Sequence, residues 1–401
     1  MMKKNRLVVL PLLVVALMLS MACSLLEQLT APQASVPTLE PGPPIQEPTQ
    51  PQSEPEATAT AAPEPTALPT ETPPNHGQIV YIAGGNVWRY LIDRAENLQL
   101  TFDGVADSYE GSYGNPLLST DGRYVSYTKN GVSYLHNLED NSFVTLPVLI
   151  FQWSQSRPAS FYASQGNFMC PEIENLEEQT AINFDLLRYD VADLAAPALI
   201  ANIGGGLKFP QAISDNEQYI SLLYCACYSE CGNYVIHQLP SNTPLSAPPD
   251  VYAGAVDFSP DSSRLVTSQW QLYGYAESPL YLANSDFSGA ITLYSAPQVA
   301  VVHPRWSPDG GWVAFTAYDI AEEFELSDKR VLLTNLDGSV LQEIADGNAE
   351  FSTWSPDGSQ LLFYRGEWGA FSLFLHDLLS GSTTALPITA STVEIDWGVL
   401  P

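Results

Sequence analysis

Five cysteines, five histidines and a surplus of carboxylates are the groups in this 401-residue chain with chemistry of their own. Cys23 stands alone near the start, and Cys170, Cys225, Cys227 and Cys231 follow far downstream. An even number of thiols after Cys23 reads as two disulfides in an oxidising compartment, with three pairings open. Cys225 and Cys227 would share one face of a strand; the pairing preferred is Cys227–Cys231 within a loop and Cys170–Cys225 between neighbouring sheets. A four-cysteine zinc site is the competing use of these thiols, but no paired Cys-x-x-Cys spacing supports it. His76, His136, His237, His303 and His376 are scattered without metal-ligand spacing. His237 and His376 fall in strands where packing explains them, so neither a metal nor another cofactor is expected. There is no Gly-x-Ser-x-Gly elbow, no phosphate-cradling glycine loop and no zinc-protease helix. The Asp-Gly pairs lack the alternating ligands of calcium loops and read as hairpin turns. Catalysis is therefore the secondary reading: a hydrolase or lyase whose carboxylates, drawn from different sheets, converge near a central channel on a saccharide or peptide.

Forty-five acids against 15 bases leave a formal charge of −30. That excludes nucleic acid held through phosphate contacts, and adhesion to anionic membrane by surface charge. Apolar residues make up 45% of the chain, enough for a sizeable core, while 32 prolines and 26 glycines argue against a helical bundle.

At the start, Lys3, Lys4 and Arg6 precede an apolar run from Leu7 to Ala22 that ends in Ser20-Met-Ala-Cys23. This resembles the bacterial lipoprotein signal, with Ser20 where leucine is usual. The resemblance implies that residues 1–23 direct export and that an acylated Cys23 inserts in the bilayer. The domain would then sit on the extracytoplasmic side of the cell envelope. As an uncleaved helix interrupted by Pro11, the run would span only about 24 Å, short of a ~30 Å hydrocarbon core. Residues 24–76 hold thirteen prolines, eight threonines and seven glutamates, and no aromatic residue falls before Tyr81. Such a segment cannot offset its ordering entropy and reads as a disordered, extended tether.

From residue 77 the chain repeats. Asp257-Phe-Ser-Pro-Asp, Arg305-Trp-Ser-Pro-Asp-Gly and Thr353-Trp-Ser-Pro-Asp-Gly are near copies, each followed by apolar residues. Looser copies begin at Leu118 and Ile213, and the most eroded at Trp153. In each, one strand ends on a bulky residue, a Pro-Asp-Gly turn follows, and a second strand resumes. Two further short strands complete most units, giving the four strands of a propeller blade. Anchors at Leu118, Trp153, Ile213, Phe258, Trp306, Trp354 and Trp397 count seven units, in preference to six or eight. Trp397 has no chain left to complete its own unit, whereas Ile79–Ile82, Val87–Leu91 and Leu98–Thr101 lack a leading strand. The two halves complete each other: Val393–Gly398 should pair with Ile79–Ile82 and close the ring.

The Trp/Phe-Ser-Pro-Asp-Gly signature resembles the TolB-type, WD-repeat-like β-propeller family over roughly 77–401. The resemblance implies an all-β fold and a bias towards protein binding. TolB-type chains with six blades carry a separate α/β domain, where this chain has its tether. Loop-length variation concentrates on one rim: Phe102–Asn115, Ser164–Asn183, the Cys227–Gly232 loop, Gln269–Ser278 and Tyr318–Lys329. Tyr109, Tyr113, Trp270, Tyr273, Tyr275, Glu322, Glu323 and Phe324 on that rim are the candidate binding residues, since long loops on a rigid scaffold carry recognition. The function expected is a membrane-anchored, monomeric propeller that binds or scaffolds a protein or glycan through this rim.

Overall fold

The computed structural model describes residues 77–401 apart from 107–110, 167–182, 205–206, 226–230, 247–253, 269–277 and 321–325, with no side-chain description at 225, 231–233, 326 and 327. Residues 1–76, with Cys23, the run expected to direct export and the Pro/Thr/Glu-rich segment, lie outside the described residues.

Seven four-stranded antiparallel sheets follow one another in a seven-bladed β-propeller. Six are consecutive in sequence: their innermost strands are Gly114–Leu118, Leu149–Trp153, Lys208–Ile213, Val256–Phe258, Val299–Trp306 and Ala349–Trp354. The seventh joins the two ends of the repeat region. Ile395–Gly398 is its innermost strand, followed outwards by Gln78–Ala83, Asn86–Leu91 and Glu96–Gln99. Trp397 sits opposite Ile79 in that register, as the sequence predicts. We number this closing sheet blade one and the others two to seven in chain order.

Second strands lie within each blade, between its first and third strands, and are largely buried on both faces. Phe161, Phe315, Leu361, Leu362 and Phe363 are all fully buried. Outer strands such as Phe143–Leu146 are mostly exposed. Each anchor ends an innermost strand, or in the case of Trp397 stands next to its end, and is buried.

The serine in the repeat explains the rest of the motif. In blades two, four, five and seven its Oγ donates to the Asp or Asn two residues on, at 2.6–2.8 Å. The same oxygen accepts the N–H five residues on at 2.9 Å, locking the turn to the start of the second strand. Blade six repeats both contacts through Ser307. Blade three lacks the turn aspartate and takes one from its neighbour. Asp215 accepts Ser154 Oγ at 2.7 Å and the N–H groups of Gln155 and Ser156 at 2.9 Å each.

Several boundaries differ from the sequence reading, among them the closing strand, which is Ile395–Gly398 rather than Val393–Gly398. The outer strand of blade one is Glu96–Gln99 rather than Leu98–Thr101, because Thr101 meets the neighbouring strand through its side chain: Val87 N–H donates to Thr101 Oγ1 at 2.9 Å. In blade six the strands run on to Trp312–Ile320 and Leu326–Asn335, taking Tyr318 and Lys329 out of the connecting loop. Both side chains reach a common buried partner, Glu350.

Candidate functional sites on the two faces

One cavity of about 540 Å³ is lined by the innermost strands of all seven blades and by the turns that follow them, at Thr120, Gln155, Pro260, Pro308 and Pro356. It is the central channel at the face where first strands turn into second strands. The residue just before each anchor lines it, giving a ring of Asp396, Leu117, Gln152, Ala212, Asp257, Arg305 and Thr353 from blades one to seven. In blades two, three, four, six and seven a one-residue bulge lies immediately upstream of this position. A bulge bends its strand and re-aims the following side chain.

Three ring members tie blades together. Asp396 Oδ2 accepts the N–H of Leu118 at 2.7 Å, and Asp257 Oδ2 that of Trp306 at 2.8 Å. Gln152 brackets Ile213, accepting its N–H and donating to its carbonyl, both at 2.9 Å. In every case the partner is the anchor of the next blade. Indoles tie in the reverse direction: Trp153 donates to Leu117 O at 3.2 Å, Trp306 to Asp257 O at 3.2 Å and Trp354 to Arg305 O at 3.4 Å.

These carboxylates border the channel yet are crowded by protein. Burial pushes Asp396 up to about 6, with the Leu118 and Trp397 N–H groups pulling the other way. Asp257 is likewise raised by burial, and Arg305 and the Trp306 N–H offset part of the rise. Arg305 Nη1 stands 3.9 Å from Asp257 Oδ1, outside hydrogen-bond distance. His303, from the same strand as Arg305, is lowered by burial and by that guanidinium.

Links between second and third strands, and from blade to blade, leave from the opposite face. Tyr113 lies there but is only 7% exposed. Its hydroxyl donates to Asp103 Oδ1 at 2.8 Å, and Lys129 sits over its ring. Tyr109, Trp270, Tyr273, Tyr275, Glu322, Glu323 and Phe324 lie outside the described residues, as do Cys170 and Cys227. The backbone of the Cys225 strand places Cys225 opposite Cys231 in the pairing with the next strand.

Large apolar residues that the sequence reading did not single out are exposed on this face. Phe102 is 78% exposed, Trp368 71%, Val105 54% and Val393 41%. Backbone hydrogen bonds link their loops across blades seven, one and two. Gly369 N–H donates to Ser391 O at 3.0 Å, Ser391 N–H to Ile82 O at 2.7 Å, and Tyr113 N–H to Gly85 O at 2.9 Å. Gly85 has φ +75°, and a Cβ there would lie 2.5 Å from the Val105 carbonyl, so the belt requires glycine. Beside it, Glu350 accepts Tyr318 and Tyr364 hydroxyls at 2.7 and 3.0 Å and pairs with Lys329. Burial would raise this carboxyl, but Lys329 and the phenols together hold it below the usual value. Burial and the adjacent carboxylate push both phenols far up, so they remain donors. Among the described residues no cluster of histidine, cysteine or carboxylates could hold a metal ion.

The class these features define is a seven-bladed β-propeller module. No family model matches the chain, and no curated protein matches it. Among solved structures, an oligogalacturonate lyase from Vibrio parahaemolyticus is similar with a TM-score of 0.52 and 12% identity, over 75% of this chain and 91% of that one. An acylaminoacyl peptidase from Pyrococcus horikoshii gives 0.51 and 14%, over 76% of this chain and 48% of its own. TolB from Acinetobacter baumannii gives 0.45 and 11%, over 80% of this chain and 66% of its own. At these identities the likeness establishes fold alone.

Proposed function

We propose that the protein is a binding or scaffolding propeller, held on the extracytoplasmic side of the envelope by an acylated Cys23, that captures a protein or glycan with its loop-rich face. The observation that carries this reading is the hydrogen-bonded belt exposing Phe102, Val105, Trp368 and Val393. Exposed large apolar side chains gathered on one face are the usual mark of an interaction surface. The four longest links between strands, 100–113, 167–183, 245–255 and 269–279, all join strands that end on the same face. The channel carboxylates favour binding over acid–base chemistry, since Asp257 and Asp396 both accept backbone N–H groups between blades.

The test compares crosslinked capture by the full chain with capture by Trp368→Ser and Phe102→Ser variants. Leu379→Ser, an exposed change in a turn on the opposite face, serves as control. Capture should fall at least about tenfold in the belt variants and persist in the control. Equal capture by all of them would refute the assignment of the face.

A further inference from the structure

A separate observation on the channel side carries a second binding site, independent of the belt. We propose that the channel mouth binds a small ligand bearing a single carboxylate, gripped by the guanidinium of Arg305.

The acidic groups that line the cavity are already committed to partners within the protein. Asp215 accepts Ser154 Oγ and two N–H groups, Asp396 accepts Leu118 and Trp397 N–H, and Asp257 accepts Trp306 N–H. Each acid in the lining is thus employed in joining neighbouring blades or shaping a turn. Arg305 is the one basic residue in that lining, and its side chain is 46% exposed. Among the described residues its guanidinium has no hydrogen bond, only the 3.9 Å approach to Asp257. At the same ring position, Asp396, Gln152 and Asp257 reach the next anchor, whereas Arg305 ties only through its carbonyl, to Trp354. A planar fork of five donors in a mixed polar and apolar cavity matches the two oxygens of a carboxylate.

The surroundings narrow the class. Three carboxylates border the same space, and the chain carries −30 overall, so dianions and polyanions are repelled. One negative charge opposite Arg305, on an otherwise neutral molecule, fits. Thr353 at the adjoining ring position and Ser352 beside it add hydroxyls for a polar substituent. The cavity volume is in the range of small-molecule sites.

Calorimetric titration of the full chain in detergent at pH 7.5 tests this, with acetate, lactate and N-acetylglycine as probes. N-acetylglycinamide and inorganic phosphate are the neutral and multiply charged comparisons. Saturable binding of a monocarboxylate is expected, with no binding of the amide and weaker binding of phosphate. Arg305→Gln should weaken it about 10- to 100-fold, and Arg305→Lys should restore part of the loss. Trp368→Ser should leave it unchanged, which separates this site from the belt. Circular dichroism of each variant establishes that the ring is intact. Failure of every monocarboxylate to bind the wild-type chain, preference for phosphate, or equal affinity in Arg305→Gln would each overturn the proposal.

Discussion

Asp396 Oδ2 accepts the backbone N–H of Leu118 across 2.7 Å, although 278 residues separate the two in sequence. The contact spans the junction between the closing blade and blade two, and its equivalents recur at Asp257–Trp306 and Gln152–Ile213. Three residues of two types, at one ring position, therefore perform one mechanical task.

Removing that acceptor has a defined cost. Asp396→Ala strands the N–H groups of Leu118 and Trp397, and should destabilise the fold by about 1–3 kcal/mol in urea titrations. Asp396→Asn adds a pH signature. Burial raises the carboxyl to about 6, above its ordinary 3.8. The folded chain therefore binds this proton more tightly than the unfolded chain. The resulting stabilisation is complete below about pH 4 and is lost as pH rises through 6. Wild type should gain on Asp396→Asn as pH falls from 7.5 to 4; a constant difference would contradict the assignment.

Three buried histidines act in the opposite sense. His136, His237 and His376 occupy third strands, and burial holds each below the usual 6.5. Above 6.5 neither state is charged and stability is full; below it the unfolded chain takes up protons that the fold resists. Each site should remove up to about 1.4 kcal/mol per pH unit within its window. His237→Gln should flatten the decline of Tm between pH 7 and 5, and an unaltered slope would count against burial as the cause.

Blade three depends on its neighbour for a turn acid. Asp215→Ala removes the acceptor of three donors at a buried position and should cost about 2–4 kcal/mol. The exposed turn acid Asp309 serves its own blade, and Asp309→Ala should cost about 1 kcal/mol. Comparing the two urea midpoints decides whether the borrowed contact matters more.

Ring closure rests on a short strand. Trp397→Ala empties a buried anchor site and should cost about 3–5 kcal/mol. Deleting residues 393–401 removes the inner strand of blade one and exposes the edge of Gln78–Ala83. Unfolding should then lose cooperativity; an undisturbed, cooperative transition would mean that closure contributes little.

The architecture was legible because its determinants are local and recur. Trp-Ser-Pro-Asp marks the end of one strand and the start of the next, and the unmatched Trp397 and Ile79 segments had only each other to pair with. Contacts between blades were not legible. Nothing near Gln155 announces that its turn is completed by Asp215, and Asp257 and Asp396 differ in sequence surroundings despite holding equivalent places. Exposed residues such as Trp368 and Phe102 were hidden for another reason. Trp368 lies in the tight turn 368–369 and Phe102 in the long link 100–113, and the exposure of each depends on what the neighbouring blade covers. His237 and His376 are packing residues, as their positions in strands imply, and both are buried.

Paired ties have an arithmetical consequence. Couplings of blades one to two, three to four and five to six consume six members, and a ring of seven cannot be tiled by twos. The remainder is blade seven, represented at the channel by Thr353, between Arg305 on one side and Asp396 on the other. An odd count thus leaves blade seven without a side-chain tie of this kind, and the Trp354 indole on the Arg305 carbonyl laces it to blade six instead.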